Sequence, residues 1–303
     1  MIEIIKDTKI DFMKARYVAF TISGILSLIG IFTLVQIGLG KANMGIDFAG
    51  GTAVQVKFDK KVPLQDIRSA MEDSGLKGVE IQDLPSEGKV MISLKKQEET
   101  LGTDADKIVS TLNERFSELH PVVDSTTEIG PKVGTKLRDD AIKAVLASTV
   151  FILLYVAFRF KLQFGIGALV ATFHDVLAVL GIFYLMGKEI NLILVSALLM
   201  IAGYSLTDTV VVFDRIRENM RARYKGKIAD VINLSINEVL SRTIIVSLTT
   251  LFTAVALFAY GGEVIHDFSL AIILGILVGT YSSIFVASPV IAAWGGKGGL
   301  GGK

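Results

Sequence analysis

No cysteine occurs anywhere in the 303 residues, so neither a disulfide framework nor a thiolate metal site is available. Histidine is nearly as scarce, with three copies, and no HExxH, triad or phosphate-loop spacing accompanies them. No cofactor and no metal are expected, and the chain is not expected to be an enzyme. Net charge is almost absent: 31 basic against 30 acidic side chains leave +1. That balance averages over compartments, and no nucleic-acid partner is expected. Between Tyr17 and Gly40 charge is missing altogether.

What fills the chain is apolar. Hydrophobic residues make up 51% of it, and mean hydropathy is +0.56. Several stretches approach the roughly 20 apolar residues that cross a bilayer. They run over 17–40, 141–158, 164–186, 190–213, 243–261 and 268–294. The pattern predicts an α-helical membrane protein with six spans. The first exceeds the ~7–15 residues of a signal-peptide core and lacks a small-residue cleavage site, so it is expected to remain as an anchor.

Lysine and arginine set the orientation. Lys6, Lys9, Lys14 and Arg16 precede span one, and Arg159 and Lys161 separate spans two and three. Arg215, Arg217, Arg221, Arg223, Lys225 and Lys227 lie between spans four and five, whereas 261–267 has no basic residue. Residues 1–16, a basic loop over 214–241 and a flexible tail over 295–303 are therefore expected in the cytoplasm. Residues 41–140 fall outside. The apolar positions Ile228, Val231, Ile232, Leu234 and Ile236 predict an amphipathic helix over 228–240, lying on the cytoplasmic membrane surface.

The outer segment reads as a soluble α+β domain. Residues 52–58 alternate apolar and polar, as a half-buried strand does. Pro63 opens a helical pattern with Leu64, Ile67, Ala70 and Met71 on one face, and Gly75 ends it. Strands over 79–84 and 90–94 flank the turn-forming residues 85–88. A second helix over 104–119 presents Ile108, Leu112 and Phe116, and a last strand covers 122–129. The order β-α-β-β-α-β predicts a ferredoxin-like sandwich. Gly50-Gly51 joins it to span one, where glycine permits a tight turn or a close backbone approach.

One carboxylate stands out. Asp208 lies in an uncharged span, and aspartate is too short to snorkel out of it. At 1.5 Å per residue it sits about 8–9 Å from the cytoplasmic end near Asp214, at the level of Arg242 in the first turn of span five. The two can pair if their helices are neighbours; Arg242 alone would also serve as a snorkelling anchor. Tyr204, Ser205, Thr207 and Thr209 supply hydroxyls near Asp208 that suit a carboxylate, a water chain or helix packing. His174 and Asp175 lie midway through span three, about 100° apart on the helix. They read equally as part of a relay with Asp208 or as a self-satisfied structural pair.

At these residues the chain resembles the SecF family of protein-export membrane proteins, in the SecD/SecF group of the RND superfamily. The likeness rests on GIDFAGGT (45–52), IGPKVGTKL (129–137), FHDV (173–176), GYSLTDTVVVFDRIREN (203–219) and EVLSRTIIVSLTTL (238–251). It implies an RND-type half: six helices, with one outer domain between the first two. The family's proton-linked aspartate and arginine map onto Asp208 and Arg242. Members often carry asparagine where this chain has Thr207, which alters the bonding available beside Asp208. The implied setting is a bacterial inner membrane. The implied partners are a SecD-like subunit, the Sec translocon channel with its accessory subunits, unfolded preprotein and membrane lipid. A proton-coupled exporter of small molecules shares the fold and is the main rival; a purely structural scaffold is the third reading.

Overall fold

The computed structural model describes residues 8–84, 88–95, 103–223 and 227–295. Turn residues 85–87 and tail residues 296–303 lie outside the described residues. Six helical stretches are long and apolar enough to cross a membrane. They are α1 (Arg16–Gly38), α5 (Pro131–Arg159), α6 (Leu162–Leu185), α7 (Leu192–Arg223), α8 (Ile228–Tyr260) and α9 (Glu263–Ser282). The last continues through a π-helical turn, Ser283–Ala287, into α10 (Ser288–Gly295).

Helices α6, α7 and α9 form the centre, while α1, α5 and α8 keep much of their apolar surface exposed. Packing within a bilayer depends on small residues that let backbones approach, and α6 supplies Gly167, Ala168, Ala171, Ala178 and Gly181. Helix α5 starts ten residues ahead of the apolar stretch, because Pro131 occupies its first turn, where a missing N–H costs nothing.

Two expectations about the segment between spans four and five change. The segment over 228–240 is not a separate surface helix; it forms the opening turns of α8. Its Ile232, Ile236 and Leu240 are buried in one cluster with Phe213 and Ile216 of α7. Asn233 and Asn237 accept the backbone N–H groups of Met13 and Ile10, each at 3.0 Å. Protein, not lipid headgroups, covers its apolar face. The expected loop over 214–241 is accordingly helical up to Arg223 and again from Ile228, and Arg242 lies about four turns into α8.

The α+β domain comprises β1 (Gly51–Lys57), α3 (Leu64–Asp73), β2 (Val79–Leu84), β3 (Lys89–Lys95), α4 (Thr103–Arg115) and β4 (Val122–Ile129). Its sheet is antiparallel in the order β2-β3-β1-β4, the ferredoxin-like arrangement. Val54, Val56 and Ile92 alternate onto the face covered by Ile67, Met71, Ile108 and Leu112. This is the period-two and helical patterning of the sequence made solid.

A short helix α2 (Ile46–Ala49) joins α1 to this domain. Ile190, between α6 and α7, exchanges backbone bonds with Asn43 (2.8 Å) and Gly45 (3.0 Å), and Asp47 accepts the N–H of Leu192 at the start of α7. Gly50 adopts φ +74°. A Cβ on Gly51 would stand 2.3 Å from the Leu94 carbonyl oxygen, and one on Gly50 2.9 Å from the Pro131 Cα. The glycine pair exists because three backbones meet there.

Glu189 adjoins this joint, facing Glu80 of β2, Lys95 of β3 and Asp47 of α2. Lys95 Nζ is itself committed to Glu80 (2.5 Å) and Asn43 (2.8 Å). Burial pushes the Glu189 carboxyl from 4.5 up to about 7; neighbouring Glu80 adds to the rise and Lys95 opposes it. A carboxyl that holds its proton more tightly in the folded state stabilises fully below pH 4.5, and that stability is lost as pH rises through about 7. Glu189→Gln is neutral at every pH. Its thermal midpoint in detergent should stay near the parent's at pH 5 and exceed it at pH 8, by up to roughly 3 kcal/mol in stability. An equal gap at both pH values would show that Glu189 does not titrate in this range.

Candidate functional site

One buried and one half-buried carboxylate lie where α6, α7 and α9 pack. Asp175 of α6 is fully buried. Its Oδ1 lies 2.9 Å from His174 Nδ1, and its Oδ2 accepts from Ser282 Oγ of α9 at 2.8 Å and from Ser205 Oγ of α7 in a very short bond. One turn beyond Ser205 on α7, Asp208 Oδ2 accepts at 2.6 Å from Oγ of Ser283, which follows α9.

Residues 280–282 of α9 and Ser283, the first residue of the π-helical turn, each bond a different helix. Thr280 Oγ1 bonds Ser247 of α8 (2.7 Å), and Tyr281 Oη donates to the Ala19 carbonyl of α1 (2.7 Å). Ser282 reaches α6 and Ser283 reaches α7. A helix turns about 100° per residue, so four consecutive side chains look in four directions. The π-helical turn begins at Ser283, and Ser288 Oγ donates across it to the Ser283 carbonyl at 3.0 Å. Such turns place one residue more per loop of the ladder and concentrate at functional sites.

The expected partners of Asp208 redistribute. Ser205, on the same face in the sequence reading, serves Asp175 instead. Thr207 is exposed and donates to the Gly203 carbonyl of its own helix at 3.1 Å. Tyr204 is half-buried one turn back. Arg242 is exposed and near enough to act on Asp208 through space, without closing to ion-pair distance. The direct Asp208–Arg242 contact is therefore not made here. Thr243, its neighbour on α8, turns its hydroxyl toward Asp208. Thr209 Oγ1, Thr243 Oγ1 and His174 Nε2 are buried and make no hydrogen bond of good geometry. His174 and Asp175 bond each other, and Asp175 bonds two further helices as well.

Ser282, Ser283 and Thr243 were not singled out in the sequence. A signal was present: TYSS (280–283) interrupts an otherwise apolar span, and four adjacent polar groups in hydrocarbon need partners.

Fold and site together define a multi-pass membrane protein of RND type, with ionisable groups enclosed among its central spans. The chain belongs to the SecD/SecF family of protein-export membrane proteins. The family described as protein export membrane protein SecD/SecF, C-terminal, matches residues 108–297, and the SecD/SecF GG motif matches residues 41–62, which include Gly50-Gly51. Among relatives, the protein translocase subunit SecF of Thermodesulfovibrio yellowstonii is 57% identical, covering 97% of this chain and 98% of its own. That of Calditerrivibrio nitroreducens is 43% identical, covering 96% of each. A crystal structure of SecDF, a translocon-associated membrane protein from Thermus, superposes with a TM-score of 0.85 at 37% identity. A super-membrane-facing form of SecDF gives 0.69 at 36% identity. This chain covers 96% and 97% of itself in those matches but only 39% and 40% of the SecDF chains.

Proposed function

We propose that this protein is a subunit of the Sec protein-export translocase that acts with a SecD-like partner. It uses the proton-motive force to drive or complete polypeptide transfer across a bacterial inner membrane, with both termini in the cytoplasm. The partner is favoured by coverage: the chain accounts for about two fifths of the solved SecDF chains, leaving room for a complementary half. The translocon channel and unfolded preprotein complete the assembly.

The observation that carries the proton reading is Asp208, a part-buried carboxylate held by a hydroxyl with a guanidinium nearby but unpaired. Ionised, it accepts from Ser283 and feels Arg242; protonated, it becomes a donor and the attraction to Arg242 goes, since arginine keeps its charge. One proton moving down 100 mV releases about 2.3 kcal/mol, enough to bias two helix packings of similar energy. The joint at Gly50-Gly51, clasped to the α6–α7 connection, passes the change to the outer domain, which holds emerging polypeptide. No covalent step is involved.

The test is preprotein export in vesicles holding the whole complex under an imposed proton gradient. Asn in place of Asp208 keeps an acceptor for Ser283, so the complex should assemble. Stimulation by the gradient should fall to the level seen with the gradient collapsed. Full stimulation in Asp208→Asn would refute the proton role and leave a structural scaffold.

A further inference from the structure

We propose that Ser282 and Ser283 are positioning residues for Asp175 and Asp208, a paired-hydroxyl step, where α9 enters the π-helical turn, that links the hydrogen bonding of Asp208 to that of Asp175. The inference rests on the reading of Asp208 as a proton-carrying group.

Each serine has one hydroxyl proton and two acceptors within reach. Ser283 Oγ lies 2.6 Å from Asp208 Oδ2 and 3.1 Å from the Thr280 carbonyl. Ser282 Oγ lies 2.8 Å from Asp175 Oδ2 and 3.1 Å from the Gly279 carbonyl. While Asp208 is ionised, Ser283 donates to it. When Asp208 takes a proton the acid becomes the donor, Ser283 Oγ accepts, and the Ser283 proton turns to the Thr280 carbonyl already in place. The proton Asp208 gains comes from water on the high-potential side, and the Ser283 hydroxyl keeps its own proton and only rotates.

The change does not stay local. Ser282 and Ser283 are consecutive, so a rotation of α9 that lengthens one carboxylate contact alters the other. The π-helical turn starting at Ser283 gives that stretch a ladder with slack on its C-terminal side. Asp175 also binds Ser205 of α7, the helix that carries Asp208, so the two contacts close a loop through α6, α7 and α9. The charged group that acts on Asp208 through space is Arg242 of α8; Asp175 of α6, with His174 bonded to it, lies one serine along the step, at Ser282. Asp175 is bonded to three side chains on α6, α7 and α9, whereas Asp208 bonds one hydroxyl.

Infrared difference spectra of the complex in lipid, taken across a pH step, read the proposal independently of export. The protonated-carboxyl band that disappears in Asp208→Asn belongs to Asp208. Ser283→Ala should displace that band, and Ser283→Thr, which keeps a hydroxyl, should restore it. Ser282→Ala should displace it as well, although Ser282 does not touch Asp208. In gradient-driven export, both alanine variants should move the pH midpoint by about one unit, the scale of one hydrogen bond to a charged group. A purely structural role would lower amplitude alike at every pH. An Asp208 band unmoved by Ser282→Ala, or by Ser283→Ala, overturns the inference while the proton reading stands. If no band is lost in Asp208→Asn, the proton reading itself falls.

Discussion

Asp175→Ala should be among the most destabilising single changes in the membrane domain, by roughly 2–4 kcal/mol, whereas Asp175→Asn should cost under about 1 kcal/mol. Alanine removes three bonds at once, those to His174 Nδ1, Ser205 Oγ and Ser282 Oγ, contributed by three positions on α6, α7 and α9. Water cannot replace the acceptor cheaply, because Asp175 is completely enclosed. An interhelical hydrogen bond in a membrane averages about 0.6 kcal/mol, with a ceiling near 1.7, so three of them plus a cavity give the stated range. Asparagine keeps an oxygen for the two serines and an amide for the imidazole. Thermal midpoints in detergent decide the matter: alanine well below the parent, asparagine close to it. Equal loss in both would mean the negative charge itself holds the three helices.

Gly30→Leu should detach α1 from α6. A Cβ at Gly30 would stand 2.3 Å from the Leu177 carbonyl oxygen, and one at Gly181 2.9 Å from the Gly30 nitrogen. These are backbone atoms, so no side-chain rotation relieves the contact. The two glycines let the helices touch, and close approach replaces the hydrophobic driving force that lipid cannot supply. Separation would also strain the Tyr281 bond to the Ala19 carbonyl and the Ser23–Tyr281 contact at 3.1 Å, loosening the α9 stretch that holds both carboxylates. The chain is naturally free of cysteine, so pairs of introduced labels on α1 and α6 report their separation directly. The distance should increase and broaden in Gly30→Leu; an unchanged distribution would show that α1 tilts to accommodate the side chain.

Much of this was legible in the chain itself, for identifiable reasons. Six spans follow from runs of apolar residues, since an unpaired backbone in hydrocarbon leaves few alternatives to the helix. The outer domain's strand and helix order follows from Val54, Val56, Ile67, Met71, Ile108 and Leu112, whose spacing reports period two or a helical face. Asp208 announced itself by being charged where charge is expensive.

Other features depend on which surfaces meet, and local patterning carries no such information. The segment beginning at Ile228 has the amphipathic signature of a surface helix, yet α7 and residues 10–13 bury its apolar face, so it continues into α8. Ser205 stands on the same side of α7 as Asp208 but bonds Asp175, because α6 lies closer to its hydroxyl. Arg242 is exposed and acts on Asp208 only through space. Sequence alone determined the number of spans, the outer fold and the buried acid, because hydrophobic burial and backbone hydrogen bonding are decided residue by residue. Only the packed structure decided who partners that acid. A hydrogen bond between helices depends on rotation and ångström-scale approach, and these are set by all the contacts of α1, α6, α7, α8 and α9 together.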